Sequence, residues 1–148
     1  MLSAKAQYAI HALTFLGENF QKGYIPINQI AEKRKIPPKF LEAILLEFRK
    51  AGLLGSKAGK NGGYYLLKNP KQIEMVQILR LMDGPIALLP CVSKKFYEPC
   101  RLCPYEEANC NIRRIFLEVR DATLQVIEGK SLYDLMQKGD LFNGDYVI

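Results

Sequence analysis

Four cysteines, Cys91, Cys100, Cys103 and Cys110, share a window of 20 residues in a 148-residue chain that has no others. Thiolates are soft ligands, suited to zinc and to iron–sulfur centres. In a reducing compartment stable disulfides are disfavoured, and clustered cysteines more often bind metal or respond to redox state. The pattern C-x8-C-x2-C-x6-C contains one C-x2-C pair, whereas a zinc ribbon carries two. Lys94, Lys95, Arg101, Arg113 and Arg114 lie nearby, and positive charge both lowers thiol pKa and offsets an anionic cluster. Three readings stay open: an iron–sulfur cluster of 2Fe-2S or 4Fe-4S type, a structural zinc or thiol/disulfide switch, and inert core cysteines.

A second kind of chemistry lies upstream. Residues 1–70 hold 11 Lys/Arg against 4 Asp/Glu, while residues 71–148 hold 10 against 11. A basic half joined to a near-neutral half suits a polyanion-binding module attached to something else. The residues that would meet a duplex are Pro38, Lys39 and Glu42 at the start of one helix, and Lys57, Lys60, Gly62, Gly63 and Tyr64 around a hairpin. Lysine reaches phosphate or a guanine edge, glutamate accepts from cytosine N4, and glycine lets the main chain approach phosphate. The competing reading is an ordinary surface hairpin on a solvated basic face. No phosphate-cradling G-x-x-x-x-G-K-[ST] pattern is present.

The elements that must position these residues follow from periodicity and punctuation. Ser3 caps a helix over residues 4–19 that buries Tyr8, Ala9, Ala12, Leu13 and Leu16. A short helix follows over Ile27 to Arg34. Pro37-Pro38 opens a third that runs to Lys50 and buries Phe40, Leu41, Ile44, Leu45 and Phe48. Gly52 ends it. Leu53-Leu54 and Tyr64 to Leu67 flank a Gly/Lys/Asn-rich turn and read as a two-stranded ribbon with a basic tip. A fourth helix spans residues 71–83. A loop over 84–109 carries all the cysteines but the last, and loops of such length are usually functional or disordered.

The apolar stripe Ile112, Ile115, Phe116, Val119, Val126 and Ile127 then predicts a helix from Cys110 to Glu128. Leu132, Leu135 and Met136 make a last short one. The expected fold is mainly α with a small β-hairpin wing: a winged helix-turn-helix over 1–83, a cysteine-rich sensor loop over 84–109, and a dimerisation helix with C-terminal segment over 110–148. A module this small does not need the long stripe for its own core, so a second copy is expected to cover it and set two recognition helices on successive groove faces.

One histidine, no nucleophile–base signature and no acid pair argue against an enzyme. His11 reads as a structural histidine beside the buried face of the first helix. No apolar run approaches the ~18 residues that span a bilayer and the start lacks signal-peptide features, so a cytoplasmic protein with no membrane partner is expected.

The stretches Tyr8-Ala9-Ile10-His11-Ala12-Leu13, Ile36-Pro37-Pro38-Lys39-Phe40-Leu41-Glu42, Leu46 to Leu54, Gly59-Lys60-Asn61-Gly62-Gly63-Tyr64-Tyr65-Leu66 and Leu79 to Gly84 resemble the Rrf-two (Rrf2) family of bacterial winged-helix regulators. The resemblance covers nearly the whole chain. It implies a homodimer on a palindromic double-stranded DNA operator, acting as a repressor or activator, and in many members a cluster held by cysteines of this loop. Where related members place an arginine in the wing, this chain has Ala58. Where others supply a histidine ligand after the last cysteine, it has Arg113, and where others supply a carboxylate from the first helix, it has Gln7. The family pattern leaves that place unmatched here, and Cys103 is expected to fill it, giving an all-cysteine site of Cys91, Cys100, Cys103 and Cys110. A change of state there would shift the separation of the two recognition helices.

Overall fold

The computed structural model describes residues 2–137. Its hub is helix α1 (Ala4–Glu18), capped by Ser3, whose Oγ accepts from the Ala6 N–H at 3.0 Å. Ala6, Ala9 and Ala12 are fully buried along one face, followed by Leu13 and Leu16. Small side chains on that face let neighbouring backbones approach closely. Packed around α1 are α2 (Ile27–Arg34), α3 (Pro38–Lys50), α4 (Met75–Asp83) and, past a longer helix α5 (Asn111–Ile127), the short α6 (Leu132–Met136). Ser3 reaches α4 as well: its backbone N–H donates to the Asp83 carboxylate at 3.0 Å and its hydroxyl bonds the other carboxylate oxygen.

Helices α2 and α3 meet through a tight turn. Lys35 takes the left-handed conformation (φ 52°, ψ 43°) and the Ile36 N–H returns to the Ala31 carbonyl at 3.0 Å. Pro37 then stands before α3 and Pro38 occupies its first turn, where a missing N–H costs nothing. Leu41, Ile44, Leu45 and Phe48 are fully buried. Phe40, expected inward with them, is 54% exposed and lies against Tyr8 with ring centroids 6.1 Å apart. One residue is a 100° step around a helix, so Phe40 and Leu41 cannot share the centre of one face. Leu41 takes the core and Phe40 the edge beside α1.

The ribbon consists of β1 (Leu54–Lys57) antiparallel to β2 (Gly63–Leu66), with Leu54 opposite Leu66 and Lys57 opposite Gly63. Leu53 and Leu67, expected within the strands, fall just outside, yet the Leu67 N–H still bonds the Leu53 carbonyl at 3.0 Å. A third segment joins the ribbon: Ile25 and Tyr64 exchange backbone hydrogen bonds of 3.0 and 2.9 Å. This approach explains Gly63 (φ 157°), because a Cβ there would lie 2.3 Å from the Ile25 carbonyl carbon and oxygen. At Gly62 a Cβ would meet the Lys57 carbonyl oxygen at 2.0 Å.

The expected fourth helix over 71–83 is broken in two. Asn69 and Gln72 cap a single 3-10 turn at Pro70–Gln72, and α4 starts only at Met75. Between them Ile73 and Glu74 are extended because their backbone pairs with residues far along the chain. Met75 N–H bonds the Lys130 carbonyl (2.9 Å) and Leu132 N–H bonds the Ile73 carbonyl (2.8 Å). Residues 84–109 are irregular apart from 3-10 turns at Pro90–Val92 and Glu107–Asn109. Helix α5 leans on α4 and on the turn at 90–92. It buries Leu124, which the stripe read from sequence omitted, and sets Ile127 against the core. Ile112, Ile115, Val119 and Val126 remain exposed. The C-terminal stretch 138–148 of the expected third unit lies outside the described residues.

Gly63→Ala should therefore detach the wing from Ile25 at a cost of about 1–3 kcal/mol, the range for a strained backbone position. Urea denaturation measures this, and an unchanged midpoint would show that the Ile25–Tyr64 bridge is not required.

Candidate functional site

Two groups of candidate residues are built by different means. The first sits on α3 and the wing. The flanks of α3 are tied to the chain itself. Lys5 of α1 grips both carboxylate oxygens of Glu47 at 2.8 Å, and Arg49 donates to the Ser56 hydroxyl of β1 at 3.2 Å. Both partners of the Lys5–Glu47 pair are partly solvated, so its energetic worth is at most about 1 kcal/mol; its effect is to fix the helix azimuth. Lys39, Glu42 and Ala43 are exposed. No side chain caps α3, so its first-turn N–H groups and positive dipole end stay available to an anion.

The wing places Lys57 in the last strand pair before its turn, opposite Gly63, where the ammonium lies 5.1 Å over the Tyr24 ring. Tyr24 in turn stacks edge-on against Tyr65 at 5.3 Å. Lys60 is exposed between Gly59 (φ 105°) and Gly62 at the tip. Pro38 starts α3, and Tyr64 is half-buried in the bridge to Ile25. Arg49 and Tyr24 escaped the reading from sequence. Their roles depend on contacts with Ser56 and Lys57 that span separations no local pattern reports. His11, expected to be structural, is exposed.

The second group is the cysteine loop. All four thiols are free. Cys91 is buried, and that burial, with the charges of Cys100 and Glu107, pushes its thiol up. Cys110 stands at the N-terminus of α5, its Sγ accepting from the Arg113 backbone N–H at 3.4 Å. That bond, a second from the Cys103 thiol, the Ile112 N–H and the Arg113 charge together hold Cys110 below the ordinary thiol value. The Tyr105 N–H favours the Cys103 thiolate, but the hydrogen bond to Cys110, burial and the charges of Cys110 and Cys100 outweigh it, so Cys103 is raised.

Around this pair, Arg113 Nε faces Glu107 at 3.4 Å and Tyr97 donates to Glu107, which raises the phenol. Gln7, at the position where the family resemblance pointed to a carboxylate, donates to the Leu2 carbonyl at 3.1 Å. The donors suit a soft metal by kind. Their arrangement does not collect them: among the described residues no three His, Cys, Asp or Glu side chains are grouped to hold a metal ion.

The loop is tied to α5 beyond Cys110. Arg120 Nη1 donates to the Val92 carbonyl, next to Cys91, at 2.6 Å. Lys94 pairs with Asp121 at 3.4 Å. Asp121 is held below the usual carboxylate range, first by Arg120 and then by Lys94. These contacts join the cysteine loop to the helix that bears the exposed stripe. No helix among the described residues is long and apolar enough to cross a membrane.

Known proteins place this architecture. The family model Rrf2, described as an iron-dependent transcriptional regulator, matches residues 2–138. An rrf2-like HTH-type transcriptional regulator of Rhodobacter capsulatus is 40% identical over 143 residues, covering 95% of each chain. The HTH-type transcriptional regulator IscR of Aliivibrio salmonicida is 27% identical over 135 residues, 91% of this chain and 76% of that one. Among solved structures, CymR, the global cysteine regulator of Bacillus subtilis, superimposes with a TM-score of 0.75 at 27% identity, covering 95% of this chain and 98% of that one. With winged-helix order, basic α3 and wing, and a match along the described length, the chain belongs to the Rrf2 family of transcriptional regulators.

Proposed function

We propose that two copies of this chain bind a palindromic duplex operator in the cytoplasm and that the cysteine loop sets their grip. In this reading residues 1–83 are the DNA-binding unit, 84–109 the sensor and 110–148 the dimerisation segment. The observation that carries it is the uncovered stripe of α5. The core closes around α1 without that helix, leaving Ile112 62% and Val126 68% exposed beside Ile115 and Val119. Each such side chain forfeits about 1.5–3 kcal/mol if left in water, and a second copy of the same helix buries them by symmetry. Two α3 helices then lie one duplex turn apart, about 34 Å. Lys39 and Glu42 face base edges while Lys57, Lys60 and the close-approach backbone at Gly62 and Gly63 hold phosphates beside Pro38 and Tyr64.

An iron–sulfur cluster on Cys91, Cys100, Cys103 and Cys110 is supported by donor type: four thiols in one loop, one stabilised as thiolate, with Arg113 beside it. A bound cluster would supply redox- and iron-responsive charge at that point, and structural zinc is the alternative metal. A thiol switch has a separate support: Cys103 and Cys110 influence one another, Cys110 being held below the ordinary thiol value and Cys103 above it. In either case the residues that pass the change on are Arg120 and Asp121, which hold the loop to α5.

Iron, sulfide and zinc analysis of anaerobically purified protein decides between these states. A brown protein with sulfide near iron, losing both in Cys103→Ala, supports the cluster; one tightly held zinc supports the structural metal; neither leaves the thiol pair. In metal-free reduced protein, alkylation should reach Cys110 at lower pH than Cys103 or Cys91, because its thiolate is the stabilised one, and mass spectrometry of quenched samples reads the order. Ile115→Glu should convert a dimer to a monomer in sedimentation without loss of helical circular dichroism. Lys60→Ala should weaken binding to all duplexes alike and lower the salt slope by about one.

A further inference from the structure

The face of α3 that looks away from the core has an unusual composition for a surface that meets nucleic acid. Lys39, Ala43, Leu46 and Lys50 are spaced by four, three and four residues and so line one side of the helix. They stand opposite the buried Leu41, Ile44, Leu45 and Phe48. All four are exposed, Leu46 at 39%. The two flanks are already engaged, Glu47 by Lys5 and Arg49 by Ser56, and Phe40 lies on Tyr8. What remains outward is an apolar centre, Ala43 and Leu46, bracketed by two lysines, with Glu42 exposed at its edge.

In the major groove the apolar feature that distinguishes one base pair from the others is the thymine C5-methyl. Ala43 has no polar atom with which to read a base edge, and Leu46 none to satisfy a phosphate. A helix held in the groove by cations at both ends of its outward face would press those two side chains on the groove floor. We propose that Ala43 and Leu46 read thymine methyl groups and fix the sequence preference of each half-site, while Lys39 and Lys50 supply the charge that holds the helix there. This rests on the reading of α3 as the groove-entering helix and extends it to a base. Lys39 and Glu42 then read or orient neighbouring positions.

The test uses the full-length protein and a duplex selected by it from a random library, in which each thymine is replaced in turn by deoxyuridine. The replacement removes the methyl and leaves every hydrogen-bonding group. Burial of one methyl-sized group is worth about 0.8 kcal/mol, a roughly four-fold change in affinity. The expected result is a loss of about that size at one or two thymines per half-site, absent in Leu46→Ser or Ala43→Gly for the thymine each residue covers. Both substitutions fall on exposed positions, and the variants should still bind duplex through the lysines. Selective binding with no deoxyuridine effect at any thymine overturns the inference while leaving DNA binding intact. An effect that persists unchanged in both variants overturns the assignment to these residues. Failure of the wild-type protein to bind any duplex at low salt overturns it together with the reading beneath it.

Discussion

Everything in this molecule depends on how completely one helix is used. Helix α1 spends its whole apolar face on close contacts, with alanines at three buried positions so that four other helices can crowd against it. Once α1 is covered, the core is finished. Helix α5 arrives with a longer apolar stripe than the remaining space accepts and inserts only Leu124 fully and Ile127 in part. Ile112, Ile115, Val119 and Val126 stay exposed, and the proposed dimer rests on them. In the proposed dimer the cost of exposure favours association, and the two-fold symmetry of a helix meeting its own copy would turn one DNA-reading surface into two.

The same economy makes the cysteine loop effective. It carries little core of its own beyond Cys91 and Val92 and stands between α4, the last helix of the proposed DNA-binding unit, and α5. Four attachments cross from loop to α5: Cys110 as the helix cap, Arg113 on Glu107, Arg120 on the Val92 carbonyl, and Asp121 on Lys94. Three of the four rest on charge and one on a sulfur, so the proposed change in thiol chemistry would reach α5 without breaking the core. Differential affinities of about 1–3 kcal/mol between two states suffice for regulation.

Much of this was legible in the residues because it is local. Ser3, Pro37-Pro38 and Gly52 mark helix ends through single-residue conformational preferences, and α2 and α3 lie where the punctuation put them. Gly62-Gly63 signalled a turn, although the reason for Gly63, the Ile25 carbonyl pressed against it, is a contact across nearly 40 residues of chain. The misreadings share that cause. Residues 73 and 74 look helical but pair their backbone with 130–132. Phe40 looks like core, yet it sits a 100° step around from Leu41 and is taken by Tyr8 instead. In the cysteine loop, spacing announced a site but not its arrangement, since no period relates irregular backbone to side-chain direction.

The most direct measurement is the mass of the complex that the reduced, metal-free protein forms on a selected duplex, by sedimentation velocity. The account predicts two chains on each duplex, joined in solution before DNA is added. A single chain per duplex, or chains that remain apart at the concentrations where they bind, would contradict it.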